Sequence, residues 1–423
     1  MSFIKRIISI IIMMAMTLAA TAQAKKPEVI KEDLTQLISP TEPVSGPLTE
    51  EDTEALARLY LTFFKNTLSE NKSSSLISPL SIITALGMVA DGASENTLSQ
   101  FEKLFGLTTE QLDSAMAYYY LLLEKNADKV KFNAANSIWV STSPTLHVNN
   151  DYISRVLGVY DPQFYAVDFA KPKTLESINS WVNEHTDGMI DKILDDLSPD
   201  TVMALINALV FDAKWATPYD SDYQVVEGKF KEYGGKTADV EMLCGEESSY
   251  ITLNGAVGFS KAYEGGKFKF VALLPDEKTD VFDFIESLDS GELLTAMKKT
   301  TSAKVVTKMP KFSYDYKLEM SETLQSLGLT DAFDPYFADF SDLAKDDTGN
   351  IYISEVIHKT HIDVDNEGTK AAAVTAVIMV KATSAGPDDT KPIYITLDRP
   401  FVYMIVDSEC NLPVFMGVVT EMG

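Results

Sequence analysis

The residues of this chain that could do acid–base or metal chemistry are few and widely spread. Its 423 residues include four histidines and two cysteines. His358 and His361 lie three apart in a strand-like run, so their side chains would point to opposite faces. Two ligands seldom complete a metal site, and this pair is poorly placed to share one. We therefore predict no metal, and we also predict no cofactor. We expect His358 to be a buried, hydrogen-bonded core histidine.

Motifs of known catalytic sites are absent from the sequence. It contains no H-E-x-x-H, no G-x-S-x-G, no phosphate-binding P-loop and no C-x-x-C. The acid pairs Asp195–Asp196 and Asp388–Asp389 are more typical of solvated turns than of paired catalytic carboxylates. The sequence therefore predicts that the protein is not an enzyme, and it disfavours the alternative of a hydrolase.

The two cysteines, Cys244 and Cys410, are too few to form a disulfide framework. An exported protein could pair them, but we predict two partly buried thiols. The 399 residues that follow residue 24 are enough to bury a large core without cross-links.

The N-terminal residues have the pattern of an export signal. Lys5 and Arg6 precede an apolar stretch at 7–20, and Ala22-Gln23-Ala24 has the small-x-small form of a cleavage site. The apolar stretch is shorter than the roughly 20 residues that span a bilayer. We expect residues 1–24 to be a signal peptide, cut near Ala24, and the protein to be secreted, either extracellular or periplasmic. A signal this short is typical of a bacterial source.

The chain is strongly acidic. Its formal charge is −26, and the loss of residues 1–24, which carry two basic residues and no acidic one, changes it to −28. Phosphate backbones and other polyanions would be repelled, since no stripe of Lys and Arg interrupts the acidic pattern. We therefore predict no nucleic-acid partner and no heparin-like site, whereas basic partners would be attracted.

The elements that must position these residues indicate one large α+β domain over 51–423. Residues 25–50 are polar and aperiodic, which predicts a flexible leader. Thr49 and Asp52 form a capping-box pattern before an amphipathic helix. Helices predominate in the first half and strands in the second. Further helices are predicted at 81–90, 95–105, 109–125 and 175–194. Strands are predicted at 130–140, 202–215, 250–260, 266–274, 303–314, 351–364, 393–406 and 412–420.

The segment 365–391 does not fit either pattern. It begins acidic, continues with three alanines that favour helix, and then turns apolar and rich in β-branched residues. It ends in Ser, Gly, Pro and Asp. Such an ambivalent segment between two ordinary strands requires an explanation.

Several long segments, in the right order, resemble the serpins, the protease inhibitors that trap their targets by a conformational change. The resemblance covers 51–423 and implies helices packed on three β-sheets with an exposed reactive-centre loop at about 366–391. The matching segments are ISPLSIITALGMVADGASENT (77–97), INSWVNEHTDGMIDKIL (178–194), LINALVFDAKW (205–215) and ITLDRPFVYMI (395–405).

The resemblance also implies roles for individual residues. The "shutter", a polar cluster under the main sheet, would contain Ser78, Ser81, Asn207 and His358. Trp215 would be the tryptophan of the "breach", where the loop enters that sheet. The hinge of the loop would consist of Gly368, Thr369, Ala371, Ala372 and Ala373.

The chemistry of the hinge supports insertion of the loop into a sheet. Alternate residues of a strand share a face, so Thr369, Ala371 and Ala373 would all point one way. All are small and uncharged, whereas Lys370 falls on the opposite face. Gly368 would permit the backbone reversal of a hinge. Asn366 and Lys370 stand where inhibitory serpins usually have Glu.

Family spacing places the scissile bond between Ala382 and Thr383, which would attract elastase-like serine proteases. A shift of one residue would offer Lys381–Ala382 to trypsin-like enzymes. Met379 would suit chymotrypsin- or subtilisin-like enzymes, or a cysteine protease. The resemblance implies a monomer that forms a covalent acyl-enzyme complex with its target. A non-inhibitory serpin, acting as a carrier or adhesion partner, is the remaining alternative.

Overall fold

The computed structural model describes residues 38–68, 72–369 and 391–422. In these ranges the helices are α1 Glu50–Asn66, α2 Pro79–Ala90, α3 Glu95–Phe105, α4 Thr109–Asn126, α5 Asn150–Tyr160, α6 Pro172–His185, α7 Val281–Ser287, α8 Ser290–Lys298 and α9 Ser321–Ser326. The strands are β1 Ser75–Ile77, β2 Lys131–Ser141, β3 Leu146–Val148, β4 Gln163–Val167, β5 Met203–Lys214, β6 Val225–Lys231, β7 Thr237–Leu253, β8 Ala256–Ala262, β9 Phe268–Leu274, β10 Thr301–Pro310, β11 Phe312–Glu319, β12 Ala344–Asp346, β13 Ile357–Val364, β14 Gly368–Thr369, β15 Ile393–Thr396, β16 Phe401–Asp407 and β17 Pro413–Val419.

Helix α1 begins at the predicted capping box. The Thr49 hydroxyl accepts a hydrogen bond from the Asp52 N–H at 3.1 Å, and the Asp52 carboxylate accepts one from the Thr49 N–H at 2.9 Å. This reciprocal pair satisfies N–H groups that the first turn would otherwise leave free. The apolar face of the helix is buried in the main core through Leu56, Leu59, Tyr60, Phe63 and Phe64.

The first described residues lie against α5. The Thr41 N–H donates to the Ser154 carbonyl at 2.8 Å, and the Ser154 hydroxyl donates to the Ser39 carbonyl at 2.7 Å. Residues 1–37 lie outside the described ranges. The signal peptide and the 25–37 part of the predicted flexible leader therefore stay predictions.

The main sheet has six strands in the order β11-β13-β14-β5-β2-β4. Strand β5 lies near its centre and is covered on both faces, as its apolar sequence predicted. On one face Ile206 and Ala208 pack with Trp181 of α6. On the other face Phe211 and Ala213 belong to the main core.

A nine-stranded sheet, in the order β1-β17-β16-β9-β8-β7-β10-β15 with β6 paired to β7, packs behind the main sheet. Strands β16 and β17 are buried along their whole length. The segment 393–406, predicted as one strand, is two: β15 pairs with β10, and β16 pairs with β9 and β17. Pro400, which has no N–H to donate, separates them.

Several predicted boundaries were wrong, two of them because a turn interrupts the predicted element. The segment 250–260 contains a hairpin turn at Asn254–Gly255, where both residues have positive φ (45° and 80°). Helix α6 ends at His185 rather than 194, since Asp187 and Gly188 also have positive φ (50° and 76°). The strand predicted at 351–364 starts only at Ile357, and the one predicted at 303–314 is divided at Lys311 between β10 and β11.

The two cysteines are thiols, as the sequence analysis predicted. Cys244 and Cys410 are unpaired and partly buried, and burial raises the pKa of the Cys410 thiol to about 12. Across the described ranges, no helix has the length and apolarity to cross a bilayer.

Candidate functional site

The chain reverses direction between β13 and β14, at the predicted hinge. The Asp365 carboxylate accepts hydrogen bonds from the N–H groups of Glu367 (2.7 Å) and Gly368 (3.0 Å). The Asp365 N–H donates to the Gly368 carbonyl at 3.0 Å and closes the turn. A Cβ on Gly368 would lie 2.1 Å from the Ala213 carbonyl oxygen. Glycine is therefore required by close approach to β5, and not by the backbone reversal we expected.

The first two residues of the hinge already form a strand of the main sheet. Gly368 pairs with Lys214 and Thr369 with Ala213 of β5, while Thr369 also pairs with Val364 of β13. Thr369 is only 3 % exposed, and its hydroxyl is hydrogen-bonded to the Tyr263 hydroxyl at 2.6 Å. Its side chain points into the molecule, as the parity argument predicted.

Trp215 and Tyr219 hold the backbone of the turn. The Trp215 N–H donates to the Glu367 carbonyl, and its indole N–H donates to the Asp365 carbonyl, both at 2.9 Å. The Tyr219 N–H donates to the Asn366 carbonyl at 2.8 Å. The Trp215 ring is buried and stacks on Tyr263, with 4.7 Å between ring centroids. The predicted breach tryptophan therefore contacts the hinge directly.

Below β14 the described strands β5 and β13 leave a gap in the main sheet. Among the described strands, β14 is the link between β5 and β13, and no backbone hydrogen bond joins those two strands directly. A void of about 20 Å³ lies between residues 209–211 and 361–363. Further down, a cavity of about 700 Å³ separates residues 203–207 from residues 350–358 and has α2 as its floor. The two strand edges that face this gap could pair with an added strand.

Three of the predicted shutter residues, Ser81, Asn207 and His358, line this cavity, and Ser78 is hydrogen-bonded to two of them. Ser78 caps α2: its hydroxyl accepts from the Ser81 N–H at 3.2 Å and donates to the Val414 carbonyl at 2.9 Å. The Ser78 N–H donates to Nε2 of His358 at 3.0 Å. The Ser81 hydroxyl is hydrogen-bonded to the Asn207 side chain. The cluster thus connects α2 to β13 and to β5.

Asn136 of β2 extends this network and was missed from the sequence. Its carbonyl oxygen accepts a 2.6 Å hydrogen bond from the Asn207 amide, and its own amide donates to the Tyr160 carbonyl at 2.7 Å. Asn136 is buried. A buried polar side chain needs hydrogen-bond partners, so an Asn within the apolar strand at 130–140 was a usable signal.

His358 is a buried, neutral histidine, as predicted. Burial lowers its pKa from 6.5 to about 4, and its Nε2 accepts a hydrogen bond, so the proton lies on Nδ1. His361 lies on the opposite face of β13, where its Nδ1 is 3.0 Å from the Asp315 carboxylate. In the ranges that the structure describes, no group of three or more His, Cys, Asp and Glu side chains could hold a metal ion.

The buried state of His358 predicts a pH-dependent stability. The unfolded chain binds a proton at this residue at about pH 6.5, whereas the folded chain binds it only near pH 4. We expect the free energy of unfolding to fall by about 3 kcal/mol from this residue as the pH drops from 7 to 4. Thermal unfolding across this range should show a weaker pH dependence in His358→Gln than in the parent. His361→Gln is the control, and an unchanged profile in His358→Gln would refute the assignment.

The remaining predicted site residues lie outside the described ranges. These are Ala371, Ala372, Ala373, Met379, Lys381, Ala382 and Thr383. Their roles in the hinge and at the scissile bond stay predictions.

Comparison with known proteins establishes the family. The model of the serpin (serine protease inhibitor) family matches residues 54–422. This chain belongs to the serpin family. A relative of this serpin, an uncharacterized serpin-like protein of Thermococcus kodakarensis, is 29 % identical over 356 residues, which are 83 % of this chain and 81 % of that protein.

Solved structures of the thermophilic serpin tengpin are similar to this serpin over almost their whole length. The native state has a TM-score of 0.84 and 39 % identity, and the match covers 92 % of this chain and 99 % of that one. The latent state has a TM-score of 0.78 and 40 % identity, with 90 % and 100 % covered. The predicted α+β serpin fold is confirmed, and the TM-score is higher for the native state than for the latent state.

Proposed function

We propose that this serpin is an irreversible suicide inhibitor of serine proteases. As a member of a family of protease inhibitors, it has proteases as its expected partners. The observation that carries the mechanism is the hinge: Gly368 and Thr369 are paired to β5 at the top of the gap between the described strands β5 and β13. A loop that continues this strand would close the sheet.

The register of β14 predicts which residues would fill the gap. Gly368 opposes Lys214 and Thr369 opposes Ala213 in antiparallel pairing, so residues 370–379 would oppose 212–203 of β5. Residues 371, 373 and 375 would share the inward face of Thr369. They are Ala, Ala and Thr, and the void beneath them is lined by Phe211, Ile405 and Phe415. Small uncharged side chains suit such an apolar site.

The reaction begins as ordinary proteolysis. The serine hydroxyl of the protease attacks the carbonyl carbon of Ala382, the amide of Thr383 leaves with a proton, and an acyl-enzyme remains. Insertion of about fifteen residues at roughly 3.3 Å each then carries the enzyme on the order of 50 Å. Distortion of the protease stops deacylation, because a misplacement of about 1 Å can cost about 10²-fold in rate.

Ala382 before the scissile bond favours an elastase-like target, whose shallow pocket accepts a small side chain. Lys381 would instead direct a trypsin-like enzyme to the next bond upstream, and Met379 a subtilisin-like or cysteine protease. The signal pattern at 1–24 supports a location outside the cell or in the periplasm. It acts there as a monomer, without a nucleic-acid or heparin-like partner.

Mixing with an elastase-like protease tests the proposal. We expect a complex that survives boiling in detergent, together with a released C-terminal fragment that begins at Thr383. In the matched variant Ala382→Arg, trapping should shift from elastase to trypsin-like enzymes. Elastase that cuts the loop and keeps its full activity would instead indicate a non-inhibitory serpin, and a fragment that begins at Ala382 would assign the bond to Lys381.

A further inference from the structure

A buried ion pair lies directly behind the residues that hold the hinge. Nζ of Lys261, in β8, is 3.0 Å from the Glu247 carboxylate, in β7, and the two side chains are 7 % and 13 % exposed. In the other ion pairs of the described ranges each partner is at least 23 % exposed. The same ammonium lies 4.3 Å from the ring centroid of Tyr219 and 5.6 Å from that of Trp215.

General stability is a poor explanation for this pair. Two charges lose their hydration when they are buried, and well-packed apolar residues of similar volume are often equally stable or more so. Burial raises the pKa of Glu247, and the neighbouring Lys261 opposes that rise. An ammonium within about 6 Å of two ring centroids does, however, attract both rings. Its contacts therefore suggest a role in positioning.

We infer that Lys261, with Glu247 as its counter-ion, is a positioning residue of the hinge. It holds the Trp215 and Tyr219 rings so that the N–H groups of these two residues stay bonded to the Glu367 and Asn366 carbonyls. The inference deepens the proposed function and rests on it. Trp215 and Tyr219 belong to the segment that leaves β5. Two backbone hydrogen bonds, from the Ala216 N–H to the Ala262 carbonyl and from the Glu264 N–H to the Lys214 carbonyl, also hold that segment.

The consequence concerns the competition between insertion and release of the protease. A hinge that is held at β5 starts insertion from a strand that is already paired. When the hydrogen bonds from Trp215 and Tyr219 are weakened, insertion must begin by forming that first pair. A larger fraction of the acyl-enzyme is then hydrolysed before insertion is complete. We expect loss of Lys261 to raise several-fold the number of inhibitor molecules consumed per protease trapped, while the rate of loop cleavage stays within about twofold of the parent rate, because the bait is unchanged.

Hydrogen exchange tests the positioning role without any protease. In Lys261→Met we expect the amides of Trp215 and Tyr219 to exchange at least about tenfold faster than in the parent, with the protection of β16 unchanged. Lys261→Arg, which keeps the cation under the rings, should stay near the parent. Lys261→Gln is the substitute if the Met variant does not fold.

The double variant Lys261→Met/Glu247→Gln separates positioning from charge balance. It removes the unpaired carboxylate, so under our inference the two amides should still exchange fast. Return of the double variant to parent-like protection would overturn the inference, as would unchanged exchange in Lys261→Met. A parent protein whose loop is cut by serine proteases while every protease stays active, by contrast, would refute the proposed function and leave the exchange result standing.

Discussion

Cleavage of the loop within residues 377–383 is expected to raise the melting temperature of this serpin by about 10 °C. An inserted strand adds on the order of ten backbone hydrogen bonds at about 1 kcal/mol each. For a chain of this size each kcal/mol corresponds to about 1 °C. The strand would also fill the void and the 700 Å³ cavity between β5 and β13. Calorimetry of the intact and the nicked protein measures the difference.

The matched control for this prediction is a nicked variant that cannot insert its loop. Nicked Thr369→Arg should melt close to the temperature of the intact parent. A nicked parent that melts at the same temperature as the intact protein would show that the loop does not enter the sheet.

Replacement of Thr369 by Arg is expected to convert the inhibitor into a substrate. Thr369 is the first inward-facing residue of the inserted strand, and its hydroxyl is bonded to Tyr263 in a buried site. An unpaired cation in that site costs several kcal/mol, which slows insertion well below deacylation. Cleavage between Ala382 and Thr383 should continue, since the bait is untouched. The measured quantity is the fraction of protease trapped per loop cleaved.

Two controls isolate the effect of the buried charge. Thr369→Val removes the hydroxyl but keeps the shape, and it should trap protease nearly as well as the parent. Lys370→Glu changes the charge of a residue that the register turns to the opposite face, so trapping should persist. If Thr369→Arg traps as efficiently as the parent, either the hinge register or the insertion mechanism is wrong.

Local signals predicted much of the fold. Helix α1 follows from the capping box at Thr49 and Asp52, and β5 follows from a long apolar run. Both signals are local sequence patterns, and the tertiary structure agrees with each of them. The errors at Asn254–Gly255 and Asp187–Gly188 were avoidable, because these dipeptides are typical of turns with positive φ.

The site itself was only partly predictable. The family motifs identified Trp215, Asn207 and His358. The structure places Asn207 and His358 at the gap in the main sheet, and Trp215 at the hinge turn above it. The gap cannot be inferred from propensity, because β5 and β13 are both good strands whose separation depends on the rest of the fold. The contact of Lys261 with Glu247 was equally hidden, since strand register decides which residues on neighbouring strands meet.

The pairing of Gly368 and Thr369 with β5 also bears on how the inhibitory activity of a stored sample would decline. An uncut loop that slides into the same gap would leave the protein folded and soluble, with its bait hidden. Potency would then decline while concentration and circular dichroism stay constant, and more quickly in warm storage. Under the proposed mechanism each molecule would also act only once, because no step withdraws an inserted strand. Under that mechanism the inhibitory capacity of a sample is therefore set by its number of intact molecules, and titration of active inhibitor, not of protein mass, measures it.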